Sequence, residues 1–325
     1  MKRLVVIPGD PIYKYYQKGE VKKRYWNPCE IFDEVHIISL CKKDIEPEKV
    51  QPLAGRARLY IHAVGKPNAF SLIRYYSKVT KFVKKLNPDI VRSHGPWHSG
   101  SIGVYAAKKL GIPCVNSIHN DIDAMRRFDK RLLLRLVKPL EYYTMRNASV
   151  VICVSNYLHQ YAKAHHAAKT VTNYNRVYSS QFRRVEQREK CGPVTILSVT
   201  RLDPQKYPEC LIRAIVGLDA KLKIIGQGSC ASYLHNLAKE LGVADRVEFI
   251  DMVPNREIHL HYHGADIFAL ATHYEGFCIP VLEAMASGLP VVACDTEPIP
   301  EIMGGSGIVV DKSPAAFEEA LKHLI

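Results

Sequence analysis

The sequence predicts an α/β protein made of two doubly wound parallel sheets in tandem, and three observations carry that prediction. Short β-branched runs recur at spacings that leave room for one helix between each and the next. The intervening segments carry apolar residues three and four apart, as in Leu72, Tyr76, Val79, Phe82, Val83 and Leu86, so one face of each can cover a sheet. The alternation breaks once, in the polar stretch NRVYSSQFRRVEQREKCGP (175–193), and then resumes.

The first strand is expected at 4–7. Lys2 and Arg3 precede it, and Pro8, Gly9 and Asp10 end the apolar run before a secretory core could form. Strands at 35–40, 59–64, 89–92, 113–118 and 149–154 complete the first sheet. After the break, strands are expected at 194–200, 222–225, 247–250, 266–271 and 290–294, with helices at 208–216, 230–241, 255–263, 279–287 and 314–324. This divides the chain into two Rossmann-like domains, 1–182 and 183–325. Open parallel sheets bind ligands where strands end and helices begin, so two in tandem are expected to face a central cleft, with binding residues directly after strands.

The 325 residues, 47% hydrophobic and 24% charged, are enough for about two ordinary domains and exclude disorder and fibrous repeats. Nine cysteines without one C-x-x-C pair give neither a disulfide framework nor a zinc ribbon and suit a reducing cytosol. No run approaches the roughly 18 to 20 apolar residues that cross a bilayer. The expected location is the cytoplasm, with attachment to the inner face of the membrane as a further reading. Residues 1–185 hold 33 Lys and Arg against 13 Asp and Glu, a net of +20, whereas 186–325 hold 12 against 19, a net of −7. The basic half suits an anionic partner.

Three clusters carry chemistry. In THYEGFCIPVLEAMASGLPVVA (272–293), Glu275 and Glu283 stand eight apart across a helix start, with Pro280 placed for the first turn. Glu283 is the only charge among small and apolar neighbours, so burial is expected, and vicinal hydroxyls of a sugar suit a buried carboxylate. The free N–H groups of Phe277, Cys278 and Ile279 favour an anion or polar ligand oxygen. A helix-start charge plus a structural ion pair fits the same spacing. In ILSVTRLDPQKYPE (196–209), Arg201 and Lys206 follow a strand at once; a guanidinium fork and a mobile ammonium suit a diphosphate leaving group, although a solvated cation is the commoner explanation of each alone. In LKIIGQGSC (222–230), Gly226 and Gly228 after another strand permit close backbone approach to a nucleotide.

In this order the clusters resemble the retaining nucleotide-sugar glycosyltransferases of the GT-B fold, in particular glycosyltransferase family 4. The match runs from about residue 194 to 310 and includes the tail GGSGIVV with Gly304, Gly305 and Gly307. The resemblance implies that Arg201 and Lys206 bind the donor diphosphate, Glu283 the nucleotide ribose, and Glu275 with the 277–279 backbone the donor sugar. The first half matches more loosely. VVICVSNY (150–157) looks like the strand and serine before the family's interdomain helix, and NRVYSSQF (175–182) like its linker. His119 in VNSIHND fits the family's strand-end histidine, facing the donor sugar near the acceptor; a core or surface histidine fits the same residue. His94 is a lesser candidate, and His94 with His98 in a Gly/Pro loop makes a poor metal site, so no metal is expected.

Departures from the pattern are visible. The family's Gly-Gly loop after the first strand is replaced by PGDPIYKYYQKGEVKKRYWNP, where Gly19 is the candidate close-approach residue with Lys18 near phosphate. Thr200 and Tyr207 stand where the family usually has Gly. The helices with which the family crosses back to its first domain are expected to be lacking after residue 325.

The implied activity is transfer of a sugar from a nucleoside-diphosphate sugar to an acceptor hydroxyl, with retention, without a metal or other cofactor, in polysaccharide, lipopolysaccharide or glycolipid assembly. The implied partners are that donor and a glycan or lipid-linked acceptor. The basic stretches 72–86 and 126–146 mix Lys and Arg with Leu, Tyr and Phe as interfacial helices do, making an anionic membrane surface a further partner; ordinary sheet-covering helices with basic rims fit equally. A sugar-nucleotide epimerase or phosphorylase on the same fold is an alternative, as is a non-catalytic nucleic-acid or phospholipid module. The last leaves both glutamates and both cations unexplained, so nucleic acid is not the expected partner.

Overall fold

The structure is a computed structural model that describes residues 1–66, 72–129, 135–183 and 192–325. The chain forms two compact units, each around its own all-parallel sheet. In unit 1 the strands are β1 (Arg3–Ile7), β2 (Glu34–Ser39), β3 (Arg58–Ala63), β4 (Ile90–His94), β5 (Cys114–Ile118), β6 (Val150–Cys153) and β7 (Thr170–Thr172), in the order β3-β2-β1-β4-β5-β6-β7. In unit 2, β8 (Val194–Val199), β9 (Ala220–Ile225), β10 (Val247–Ile250), β11 (Ile267–Leu270), β12 (Val291–Cys294) and β13 (Ile308–Val310) run β10-β9-β8-β11-β12-β13. The order reverses between β1 and β4 in one sheet and between β8 and β11 in the other, and these switch points are where doubly wound sheets take ligands.

Burial on both faces explains the strand sequences. All four residues of β11 and all four of β12 are buried, and the core of unit 2 gathers Phe268, Tyr262 and Phe317 with the aliphatic strand residues. In unit 1, Leu4 and Val6 pack with Val35, Ile37, Trp26, Val50 and Leu53 on one face of the sheet. The eleven expected strands all form within two residues of their expected bounds; β7 and β13, three residues each, are additional, being too short to show a period. The expected helix 208–216 is an α-helix, Glu209–Ala214, finished by a 3-10 turn, and that expected at 255–263 begins only at Ile258 because residues 255–257 form a turn. Among the described residues no helix is long and apolar enough to cross a membrane.

The units part between Asn173 and Tyr174, not between 182 and 183. The segment after Tyr174 is tied to unit 2: Tyr174 Oη donates to Glu301 (2.6 Å), Gln181 Nε2 donates to the Asn255 carbonyl (3.0 Å), and Phe182 is buried in the unit 2 core. Residues 121–129 also belong to unit 2. They hold the helix Ile122–Phe128, capped by Asp121 accepting from the Ala124 N–H (2.9 Å), and its Phe128 ring lies 4.9 Å from that of His273. Residues 184–191 of the polar stretch, Cys191 included, and 130–134 of the basic stretch 126–146 lie outside the described residues.

Candidate functional site

At the switch point of unit 2 the loops after β8, β9 and β11 are knitted into one body. The β8 strand runs through Thr200 and Arg201 into a short 3-10 turn, Pro204–Lys206. Gln205 anchors this turn to the loop after β11. Its carbonyl accepts from His273 N–H (2.9 Å) and Thr272 Oγ1 (3.2 Å), and its side chain donates to the Tyr274 carbonyl (3.1 Å). Lys206 Nζ then reaches Glu275 Oε1 at 2.5 Å, both side chains being largely buried. Burial pushes the Glu275 carboxyl above its ordinary range, with the Lys206 ammonium pulling the other way. Two sequence-predicted residues 69 positions apart are thereby in direct contact.

Arg201 behaves differently. Its side chain is 62% exposed, and two of its N–H groups are engaged, Nη1 by Asp203 (2.6 Å) and Nη2 by Gln205 (3.1 Å). The other donors of the fork remain for a ligand. Asp203 is itself fixed by the backbone N–H and hydroxyl of Ser229, both at 3.1 Å; these, with Arg201, hold its carboxyl below the usual range.

Gly226 and Gly228 make a close approach, but to the neighbouring turn. A Cβ on Gly226 would sit 1.9 Å from the Thr200 carbonyl oxygen, and one on Gly228 2.3 Å from the Leu202 carbonyl. The glycines let the β9 loop press against the loop that carries Arg201, locked by Leu202 N–H to Gln227 O (2.9 Å) and Cys230 N–H to Leu202 O (2.7 Å). Tyr207, at a family glycine position, has φ +45, which explains why glycine suits it; its ring stacks on His273 at 4.7 Å.

Glu283 lies in the second turn of the helix Ile279–Ala286, on its buried face, and accepts from Tyr262 Oη at 2.8 Å. Burial, then the neighbouring carboxylate, holds the Tyr262 phenol well above its ordinary range, so it stays a donor. Pro280 falls in the first helical turn as expected, and the N–H groups of Phe277, Cys278 and Ile279 stand at the helix start. The Cys278 thiol is buried and held protonated, so this residue offers its backbone only.

His119 follows β5 in unit 1, its ring stacked on His94 at 5.6 Å. Burial and then Arg92 lower it to about 4, so it is a neutral imidazole at pH 7. Gly19 differs from its expected role. It is exposed at φ +68, and its N–H to Tyr16 O (3.0 Å) with Glu20 N–H to Tyr15 O (2.8 Å) forms a Schellman end to the helix Ile12–Gln17, which accounts for the glycine fully. The sequence reading missed Asp203, Gln205, Ser229 and Tyr262. Asp203 and Gln205 lie inside the quoted cluster and are identifiable only through their partners; Tyr262, in HLHYHGADIF, carries no local signal.

Comparison with known proteins gives a family for each half of the chain. Residues 179–325 match the model of the glycosyl transferases group 1, and residues 33–177 that of glycosyltransferase family 4. A D-inositol 3-phosphate glycosyltransferase of Corynebacterium glutamicum is 28% identical over 74% of this chain and 65% of its own. An alpha-monoglucosyldiacylglycerol synthase of Streptococcus pneumoniae is 26% identical over 68% of this chain and 55% of its own. The chain thus spans between half and two thirds of the length of these two curated relatives. The structure of Anabaena HepE in complex with UDP and glucose superposes with a TM-score of 0.74 at 18% identity, covering 99% of this chain and 89% of that one, which shows the fold. With one glycosyltransferase family model matching each half, over residues 33–177 and 179–325, and two doubly wound sheets in the GT-B arrangement of strands, the chain has the GT-B fold and each of its halves is similar to a glycosyltransferase family.

Proposed function

We propose that this protein moves a sugar from a nucleoside-diphosphate sugar to an acceptor hydroxyl, with retention at the anomeric carbon. The observation that carries the reading is the joining of Arg201, Lys206 and Glu275 at the unit 2 switch point through the Gln205 anchor. Arg201 and Lys206 take the two phosphates, Glu283 the ribose, and Glu275 with the 277–279 backbone the sugar. In this turn each cation is paired with a carboxylate, Asp203 for Arg201 and Glu275 for Lys206, so the diphosphate takes over part of each partnership when it binds.

In the reaction the bond from the anomeric carbon to the phosphate oxygen breaks, and a bond to the acceptor oxygen forms on the same face. The acceptor proton passes to the departing phosphate oxygen. Arg201 and Lys206 stabilise the charge that grows there, which a divalent metal would otherwise do. Loss of either cation is expected to slow transfer by about 10² to 10³, the effect of removing one preorganised charge-stabilising donor. A radiolabelled-donor transfer assay, with anomeric configuration of the product read by NMR, tests this; release of epimerised donor or sugar phosphate in place of transfer would assign an epimerase or phosphorylase.

The acceptor is proposed to be a lipid-linked or envelope glycan met at an anionic membrane surface on the cytoplasmic side. The helix Leu72–Leu86 favours this: its exposed positions hold Arg74, Lys78, Lys81, Lys84 and Lys85 with no acid, and Ile73 at its start is 88% exposed. The alpha-monoglucosyldiacylglycerol synthase among the relatives, whose product is a glycolipid, is consistent with it.

A further inference from the structure

Unit 1 holds a half-buried cation, Arg92, with no carboxylate paired to it among the described residues. Side chains alternate along β4, so Arg92 and His94 leave the sheet on the same face, while Ser93 faces the helix His98–Leu110. The Arg92 guanidinium lies 5.3 Å from the centre of the Trp26 ring and 6.0 Å from that of Tyr25. Trp26 meets His94 edge-on at 4.9 Å, and His94 stacks on His119. Two other guanidinium groups of the unit have an acid partner, Arg3 with Glu34 at 2.7 Å and Arg24 with Glu30 at 3.3 Å. Among the described residues no carboxylate pairs with Arg92.

The surroundings are short of partners in the same way. Arg92 Nε, Trp26 Nε1, His94 Nε2 and His119 Nε2 are all buried and without a hydrogen-bond partner. Four orphaned nitrogens in one cluster are expensive unless a ligand meets some of them. The two Nη atoms of Arg92 are not sealed in this way, and the Tyr15 and Tyr25 hydroxyls are near enough to feel its charge. Glu20 and Asp10 approach those tyrosines, but neither pairs with Arg92. The cluster sits at the carboxyl ends of β4 and β5, with Gly9 just past β1 lying against His94, so it occupies the switch point of the first sheet.

We propose that Arg92, backed by Trp26 and Tyr25 and flanked by His94 and His119, is a phosphoryl-binding subsite of unit 1. A planar guanidinium fork with neutral N–H and O–H donors around it matches a tetrahedral oxyanion. The phosphate is assigned to the acceptor, because both donor phosphates are assigned to Arg201 and Lys206. That choice rests on the proposed glycosyl transfer, whereas the anion site itself does not.

The test is direct binding, followed by the His94 and His119 imidazole signals in NMR and independent of any turnover. Inorganic phosphate, glycerol 1-phosphate and UDP are titrated into the full chain and into Arg92→Gln and Arg92→Lys. In the wild-type protein, saturating phosphate is expected to raise the His119 titration from about 4, because the bound anion cancels the Arg92 charge. Phosphate affinity should fall at least tenfold in Arg92→Gln and less in Arg92→Lys, which keeps the charge and loses the fork. Loss of glycerol 1-phosphate binding with UDP affinity retained supports the acceptor phosphate; loss of UDP affinity alone would overturn that assignment. Wild-type histidine signals unmoved by all three ligands would overturn the subsite, as would affinities equal in wild type and both variants.

Discussion

At the scale of single residues, the account turns on who neutralises whom. Lys206 is buried against Glu275 and so is both a ligand-binding group and a structural partner. Lys206→Ala leaves a buried carboxylate alone, so it should cost stability as well as turnover. Arg201→Ala, on an exposed side chain, should lower turnover by about 10² to 10³ with a melting temperature close to wild type. Paired melting curves and transfer rates check this; an Arg201→Ala enzyme of near-normal rate contradicts the diphosphate role. Tyr262→Phe tests positioning: it removes one hydrogen bond from Glu283, so donor affinity should weaken several-fold while kcat changes little. A KM equal to wild type would show that Tyr262 only fills the core.

His119 gives a prediction with a sign. Burial and Arg92 hold it at about 4 in the folded chain, against about 6.5 for a free imidazole. On acidification the unfolded chain takes up this proton first, so stability falls as pH drops through the interval from 6.5 to 4. The loss between pH 7 and 5 is about 2 kcal/mol from this residue. Urea denaturation of wild type and His119→Asn at both pH values checks it, the variant being expected to lose less. Equal losses in the two proteins contradict the buried, neutral assignment.

At the scale of elements, the sequence was legible wherever burial on both faces of a strand leaves a pure apolar run. Phe268 in β11 is such a case; it is fully buried, and Phe268→Ala should destabilise unit 2 by about 3 to 5 kcal/mol, measurable by chemical denaturation. Three-residue edge strands such as Thr170–Thr172 leave no period to read. The helix Ile122–Phe128 was equally illegible as a part of unit 2, because its membership is decided by Phe128 meeting His273 and Tyr274, far away in the chain. For the site, residue types at strand ends gave Arg201, Lys206, Glu275 and Glu283. Their hydrogen-bond partners Gln205, Asp203 and Tyr262 are common residues whose roles exist only in three dimensions. Gly226 and Gly228 were legible as close-approach positions, but what approaches is the 200–202 backbone. Gly228→Ala should therefore disorder the turn carrying Arg201, lowering both stability and donor affinity.

At the scale of the whole molecule, the charge is divided, +20 before residue 185 and −7 after it. Two of the twelve cations of the acidic second half, Arg201 and Lys206, stand in the turn where the diphosphate is proposed to bind. The basic first half carries part of its excess on the exposed face of the helix Leu72–Leu86 and one charge in the half-buried Arg92 guanidinium. Flotation with vesicles containing anionic lipid should carry the protein at low salt and release it at high salt, as screening shortens the reach of surface charge. Lys81→Glu with Lys85→Glu should abolish flotation without altering donor binding. Flotation unaffected by salt or by these substitutions would remove the helix Leu72–Leu86 as the contact.

The binding of an activated sugar at the unit 2 switch point underlies the proposed transfer. It is tested most directly by calorimetric titration of UDP-, GDP- and ADP-sugars into wild type, Arg201→Ala and Glu283→Ala. At least one of the three donors is expected to bind the wild-type protein, and each substitution is expected to weaken that donor at least tenfold. Equal affinity in all three proteins, or no binding by any of these donors, would contradict it.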